Sequence, residues 1–287
     1  MGFQLLGGDG KRLRPALYVV AGILAGVAAV PGYLVFRPPS EIAGPDGAPM
    51  RLVPAGSFMM GSDSGDEKPV HRVYVDAFYM DRYEVTNERF AKFLNDYGSD
   101  KDAGGNVMIC EHKWGLKKSG NRWVPQAGYE GYPVVYVTWY GARQYARHYG
   151  KRLPTEAEWE KACRAGSSRK YSFGDDEGKL KDHAWYDEWG EGGSTHPVGQ
   201  KLANALGLCD MHGNVWEWCE DWYREDYYGS SPSRNPSGPG AGESRVLRGG
   251  SWGDSPALCR SADRGWNLPQ GGSVYFGFRC ASPAGPR

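Results

Sequence analysis

Six cysteines and six histidines are the side chains of this 287-residue sequence with the widest chemical range. The cysteines stand at positions 110, 163, 209, 219, 259 and 280. No two of them form a CxxC pair, and no cysteine–histidine group has zinc-finger spacing. Neither a thioredoxin-like redox centre nor a structural zinc site is expected. An even count permits disulfides if the chain faces an oxidising compartment, but spacing does not choose among the possible pairings. The histidines, at 71, 112, 148, 183, 196 and 212, form no HxxxH-type pair. His71 and His212 read as satisfied structural residues.

The scaffold that must hold these groups is rich in rings and glycine, with 11 Trp, 18 Tyr, 9 Phe and 42 Gly. That aromatic content excludes disorder for the bulk of the chain. Lys plus Arg equals Asp plus Glu at 34 each, so no global attraction to nucleic acid exists and no nucleic-acid partner is expected. A mean hydropathy of −0.60 excludes a polytopic membrane protein but leaves room for one span. Residues 16–36 carry no charge, and as a helix they would reach about 31 Å, enough to cross a hydrocarbon core. Lys11, Arg12 and Arg14 precede the run and Arg37 follows it. The positive-inside rule therefore predicts a cytoplasmic tail (1–15), a transmembrane helix (16–36) and a Pro/Gly-rich linker (37–49). A single domain (50–287) would then lie in the periplasm or outside the cell. A cleaved signal peptide is the alternative, although the apolar run exceeds the usual h-region.

Within that domain, 50–58 and 70–80 read as strands by their patterning. Thr86 is positioned to cap a helix carrying Phe90, Phe93 and Leu94, and 99–131 reads as a long loop. A second helix follows Thr138 and is closed by Gly150. Thr155 and Glu158 have the spacing of a capping box that opens a third. Beyond Gly166 helical periodicity vanishes, and short strands and loops remain. The pattern is that of one α+β domain.

Four strings carry a resemblance. They are LVPAGSFMMGSDSGDEKPVHRVYVDAFYMDRYEVTNERF, YPVVYVTWYGARQYARHYGKRLPTEAEWEKACRAG, GLCDMHGNVWEWCEDWY and RVLRGGSWGDSPALCRSADRGWNLPQGGSVYFGFRC. In that order, from about Met50 to Cys280, they resemble the formylglycine-generating enzyme (sulfatase-modifying factor) family. The resemblance implies an irregular, C-type-lectin-related α+β fold with little regular secondary structure. Enzymes of the family oxidise a sulfatase cysteine with O₂ at a Cu(I) held by two cysteines shortly after a Gly-Gly-Ser. Here Ser251 matches the serine and Cys259 the second cysteine, while Asp254 replaces the first. A carboxylate is a hard donor and Cu(I) is soft, so copper is not expected. A related branch of iron-dependent sulfoxide synthases needs a histidine cluster that this chain lacks.

The resemblance further implies a calcium ion at Asp210, Gly213, Val215 and Glu217, a mixed set of carboxylate and carbonyl oxygens suited to Ca²⁺. It also implies a disulfide between Cys163 and Cys280. The expected role is a membrane-anchored, non-catalytic domain that binds a protein or ligand, or serves as an accessory subunit of a membrane complex. The alternative is an oxidoreductase of the formylglycine-generating type with altered metal ligation. Trp252, Asp254, Trp266, Tyr275 and Phe276 are the candidate binding surface, since exposed aromatics favour interfaces. For each aromatic the competing place is the core.

Overall fold

The computed structural model describes residues 27–30, 33–36, 39–190 and 192–285. The chain divides into two units, 1–39 and 40–287. In the first, β1 (Val27–Val30) and β2 (Tyr33–Phe36) pair antiparallel, from Val27 with Phe36 to Val30 with Tyr33. The helix expected over 16–36 is therefore corrected for these residues. Pro31 and Gly32 stand between the two strands in sequence and oppose a helix there, while the valines favour extended backbone. The remainder of 16–36 and the tail 1–15 lie outside the described residues. Among the described residues no helix is long and apolar enough to cross a membrane.

The second unit begins ten residues before the expected boundary. β3 (Glu41–Ala43) pairs with β4 (Pro49–Val53), so most of the presumed linker is a hairpin built into a sheet. Asp46 in its turn explains why. The buried Lys151 ammonium lies 2.6 Å from Asp46 Oδ1 and 2.7 Å from Asp81 Oδ1. Tyr145 donates to the other Asp46 oxygen at 2.7 Å, and Arg89 donates to the Asp46 carbonyl at 2.7 Å. Burial alone would depress the Lys151 ammonium, but Asp81 and Asp46 hold it above its ordinary value.

The rest of the sheet framework is short-stranded. β5 (Gly56–Met60) and β6 (His71–Val75) form a ribbon, and β7 (Phe78–Asp81) joins β4. Each predicted strand is thus split, at Pro54-Ala55 and at Asp76-Ala77. α1 (Asn87–Tyr97) starts where Thr86 Oγ1 accepts from the Arg89 N–H and stops at Gly98 with φ +79°. The loop 99–131 contains a hairpin, β8 (Leu116–Ser119) and β9 (Arg122–Pro125), which Asn95 of α1 ties down through the Trp123 backbone. α2 (Trp139–His148) is capped by Thr138, and α3 (Glu156–Arg164) by the full Thr155–Glu158 capping box.

β10 (Trp216–Trp222), β11 (Arg245–Arg248), β12 (Gly265–Asn267) and β13 (Phe276–Gly277) make a sheet of order β12-β11-β10-β13. β14 (Ala281–Pro283) completes the other, of order β14-β7-β4-β3. One core gathers Phe90, Phe93, Trp139, Tyr145, Trp218 and Phe278; a second gathers Val73, Val75, Trp159, Ala162 and Cys163.

All six cysteines are free thiols, which corrects the expected Cys163–Cys280 disulfide. Cys163 lies in the second core with its sulfur 3.4 Å from the Met211 carbonyl and against the His212 ring. Cys280 belongs to the first core, beside Asp81.

Replacing Lys151 by Met should leave Asp46 and Asp81 buried without a cation. A loss of about 3–5 kcal/mol is expected, because the surviving charges keep their desolvation cost. For a domain of this size the melting temperature should fall by roughly 10 °C in a calorimetric scan. An unchanged transition would show that the hairpin is not locked by this ion pair.

Candidate functional site

The segment after β11 is shaped by close approach. Gly249 and Gly250 have φ of +104° and +75°, and a Cβ on Gly250 would come 2.8 Å from Cys259 Sγ. Glycine is the residue that fits such a left-handed, crowded turn. The turn delivers Ser251 to Asp254. Three donors converge on Asp254 Oδ2: Ser251 N–H at 2.9 Å, Ser251 Oγ at 2.5 Å and Trp216 Nε1 at 2.7 Å. No hydrogen bond reaches Oδ1 from the described residues. Cys259 is wholly buried. Burial, then the Asp254 charge, pushes its thiol well above the ordinary value, so it stays protonated. One buried cysteine sulfur beside a carboxylate already holding three donors does not fit Cu(I), which needs two soft sulfur donors.

A second segment crosses this one. Asp187 N–H donates to the Asp254 carbonyl at 2.8 Å, and Glu188 N–H to the Trp252 carbonyl at 2.9 Å. Glu188 Oε2 meets His196 Nε2 at 2.6 Å, and the His196 ring stacks 3.6 Å from Trp185. Trp189, 65% exposed, leans on Tyr275 with ring centres 6.3 Å apart. Tyr275 continues to Trp252 at 5.1 Å, and Trp252 to Trp114 at 5.8 Å.

The predicted binding surface is therefore only partly assembled. Trp252 is 5% exposed and belongs to the interior, which corrects its assignment to the surface. Phe276 packs on Trp218 at 5.6 Å. Trp266 is exposed on β12, at the opposite edge of the sheet from β13, where it stacks on Tyr223. Asp254 and Tyr275 do lie together, joined by Trp189, which sequence reading passed over. Its signal was a tryptophan among the acids Asp187, Glu188 and Glu191 in a glycine-rich stretch.

The turn expected to hold calcium is formed, with Asp210 at φ +56° and Gly213 at +84°. Its carboxylates behave differently from expectation. Both oxygens of the buried Glu217 are taken: Arg279 Nη2 reaches Oε1 at 2.6 Å, Arg279 Nε reaches Oε2 at 2.7 Å, and Trp159 Nε1 reaches Oε2 at 2.8 Å. Asp210 Oδ2 accepts from Gly199 N–H at 2.6 Å, while its Oδ1 is buried without a partner. Glu84 lies nearby, with Oε2 bonded to Asn214 and Oε1 buried and unpartnered. Burial pushes Asp210 up to about 6. Burial, then the Asp210 charge, drives Glu84 well above the usual carboxylate range. Among the described residues no three His, Cys, Asp or Glu side chains converge as a metal cluster. The two unpartnered carboxylate oxygens fit a hard cation; Glu217, held by a guanidinium, does not.

His212 is structural, as expected. Its Nδ1 bonds the Cys259 carbonyl at 2.8 Å, its Nε2 accepts from Ser172 N–H at 3.2 Å, and burial lowers its pKa to about 4. His71 Nδ1 is bonded to the Pro69 carbonyl at 2.9 Å.

A family profile described as "Sulfatase-modifying factor enzyme 1-like domain" matches residues 38–284. The formylglycine-generating enzyme of Streptomyces coelicolor is 38% identical over 277 residues, covering 81% of this chain and 88% of that protein. The serine/threonine-protein kinase pkn1 of Chlamydia caviae is 41% identical over 237 residues, covering 81% of this chain but only 37% of the kinase. The chain thus spans well under half the length of that relative. Among solved structures, PvdO from Pseudomonas aeruginosa superposes with a TM-score of 0.69 at 31% identity, covering 86% of this chain and 99% of PvdO. The chain belongs to the sulfatase-modifying factor, or formylglycine-generating enzyme, family.

Proposed function

We propose that this chain is a non-catalytic member of its family, a binding module that engages a ligand through the face around Asp254, Tyr275 and Trp189. The observation that carries the reading is Asp254, whose Oδ2 is saturated by Ser251 and Trp216 where the enzymes of the family place a copper-binding thiolate. Full-length protein incubated with Cu(I), O₂ and a cysteine-containing sulfatase peptide should leave the peptide mass unchanged. Conversion of cysteine to formylglycine, dependent on Cys259, would refute the reading. An Asp254→Cys variant is expected to gain copper binding.

Calcium is proposed at the turn of Asp210, Gly213 and Val215. The support is the pair of unpartnered oxygens on Asp210 and Glu84, two neighbouring carboxyl groups in a buried place whose oxygens are hard donors. An ion that binds only the folded state stabilises it by mass action. Excess chelator should lower the melting temperature of the wild-type protein and leave that of Asp210→Asn unmoved. Equal responses of the two proteins would remove the proposal.

Attachment to a membrane, with the 40–287 unit on the outer side, is proposed from the apolarity and flanking charge of the sequence alone, the uncharged run 16–36 behind Lys11, Arg12 and Arg14, and not from a spanning helix, since Val27–Val30 and Tyr33–Phe36 pair as two strands. An accessory role beside a membrane partner follows from such a location. The full chain should sediment with membranes and resist carbonate extraction, and protease added to spheroplasts should degrade it. Recovery in the soluble fraction would overturn the attachment.

A further inference from the structure

Asp254 has a second feature that a purely structural carboxylate lacks. Its Oδ2 is immobilised by three donors while Oδ1 has no hydrogen-bond partner among the described residues, and the residue is only half-buried. No Lys, Arg or His of the described residues forms an ion pair with it. The two segments that cross at this point are equally short of positive charge. Residues 185–196 and 251–258 carry Asp187, Glu188, Glu191 and Asp254 but no Lys or Arg, and their single histidine, His196, is committed to Glu188.

The rings beside Asp254 complete the setting. Gly253 lets them come close: a Cβ there would stand 3.0 Å from Tyr275 Cε1 and 3.6 Å from Trp189 Cη2. Trp189 offers an exposed face. A cation is attracted both to a carboxylate and to the face of an aromatic ring. The neighbouring Trp114 already carries one, with the Lys113 ammonium 4.7 Å from its ring centre. Because Asp254 is held in place, little ordering is needed when a ligand arrives.

Resting on the binding-module reading, we propose that Asp254 Oδ1 anchors a basic side chain, a guanidinium or ammonium, of a polypeptide partner, with Trp189 and Tyr275 packing along it. The charge is neutralised by the partner and no covalent step occurs. A neutral ligand that merely stacks on Trp189 is the competing occupant.

The test is a titration of the full-length, detergent-solubilised protein with acetyl-glycyl-arginyl-glycinamide and with its citrulline counterpart, followed by tryptophan fluorescence and calorimetry. Citrulline keeps the shape and removes the charge. The arginine peptide should bind at least about tenfold more tightly. Its affinity should fall with added salt while that of the citrulline peptide does not. Asp254→Asn should make the two peptides equivalent, and Trp189→Ala, on an exposed side chain, should weaken the arginine peptide without lowering the melting temperature. Equal binding of both peptides by the wild-type protein, salt-independent binding, or no saturable binding of the arginine peptide would each overturn the inference. Equal binding would leave the binding-module reading standing, whereas copper-dependent formylglycine formation would remove that reading instead.

Discussion

One buried guanidinium holds the centre of this domain together. Arg279 is fully buried and brackets Glu217 with Nε and Nη2, while its remaining donors reach the carbonyls of Asp81, Arg82, Cys209 and Asp210. Burial would weaken the cation, but Glu217 and its neighbours hold its pKa above the ordinary value. A buried ion pair is tolerable only when its remaining donors and acceptors are also satisfied, and here Trp159 takes the last lobe of Glu217. The consequence is positional. The end of β7, the 209–210 turn and β10 are bound to one point, and Trp216, the first residue of β10, meets Asp254.

A second buried network shapes the other wall. Arg248 Nη2 meets Glu160 at 2.6 Å and donates to the Ser261 carbonyl at 2.9 Å, and Arg264 Nε meets Glu156 at 2.7 Å. α3 is thereby fastened to β11 and to the returning chain 261–264. The Gly249–Cys259 loop is suspended between these anchors, so its geometry follows from charge pairing beneath it as much as from its own glycines. Rigid support under a short loop is what allows a single carboxylate to be presented in a fixed orientation.

Local signals in the sequence were dependable wherever the chemistry was local. The Thr86 and Thr138 caps and the Thr155–Glu158 capping box need only residues three positions apart, and each helix begins where they stand. The four strings were enough for the family and hence the fold, and Asp254 in place of a cysteine was legible as a chemical change. The uncharged run 16–36 was legible as apolar, but apolarity does not distinguish a helix from a strand, and Val27–Phe36 is a hairpin.

What sequence could not determine is which partner each buried charge finds. Glu217 matched a metal ligand by position, yet Arg279, 62 residues away, claims both its oxygens. Cys163 and Cys280 matched a disulfide, yet they face His212 and Asp81. The presumed linker became a hairpin because Asp46 reaches Lys151 across the fold. Trp252 turned inward while Trp189 turned out. Caps, turns and breaks depend on neighbours along the chain, so composition and spacing determine them. Charge pairing and burial depend on distances through space, and only the packed tertiary structure decides those.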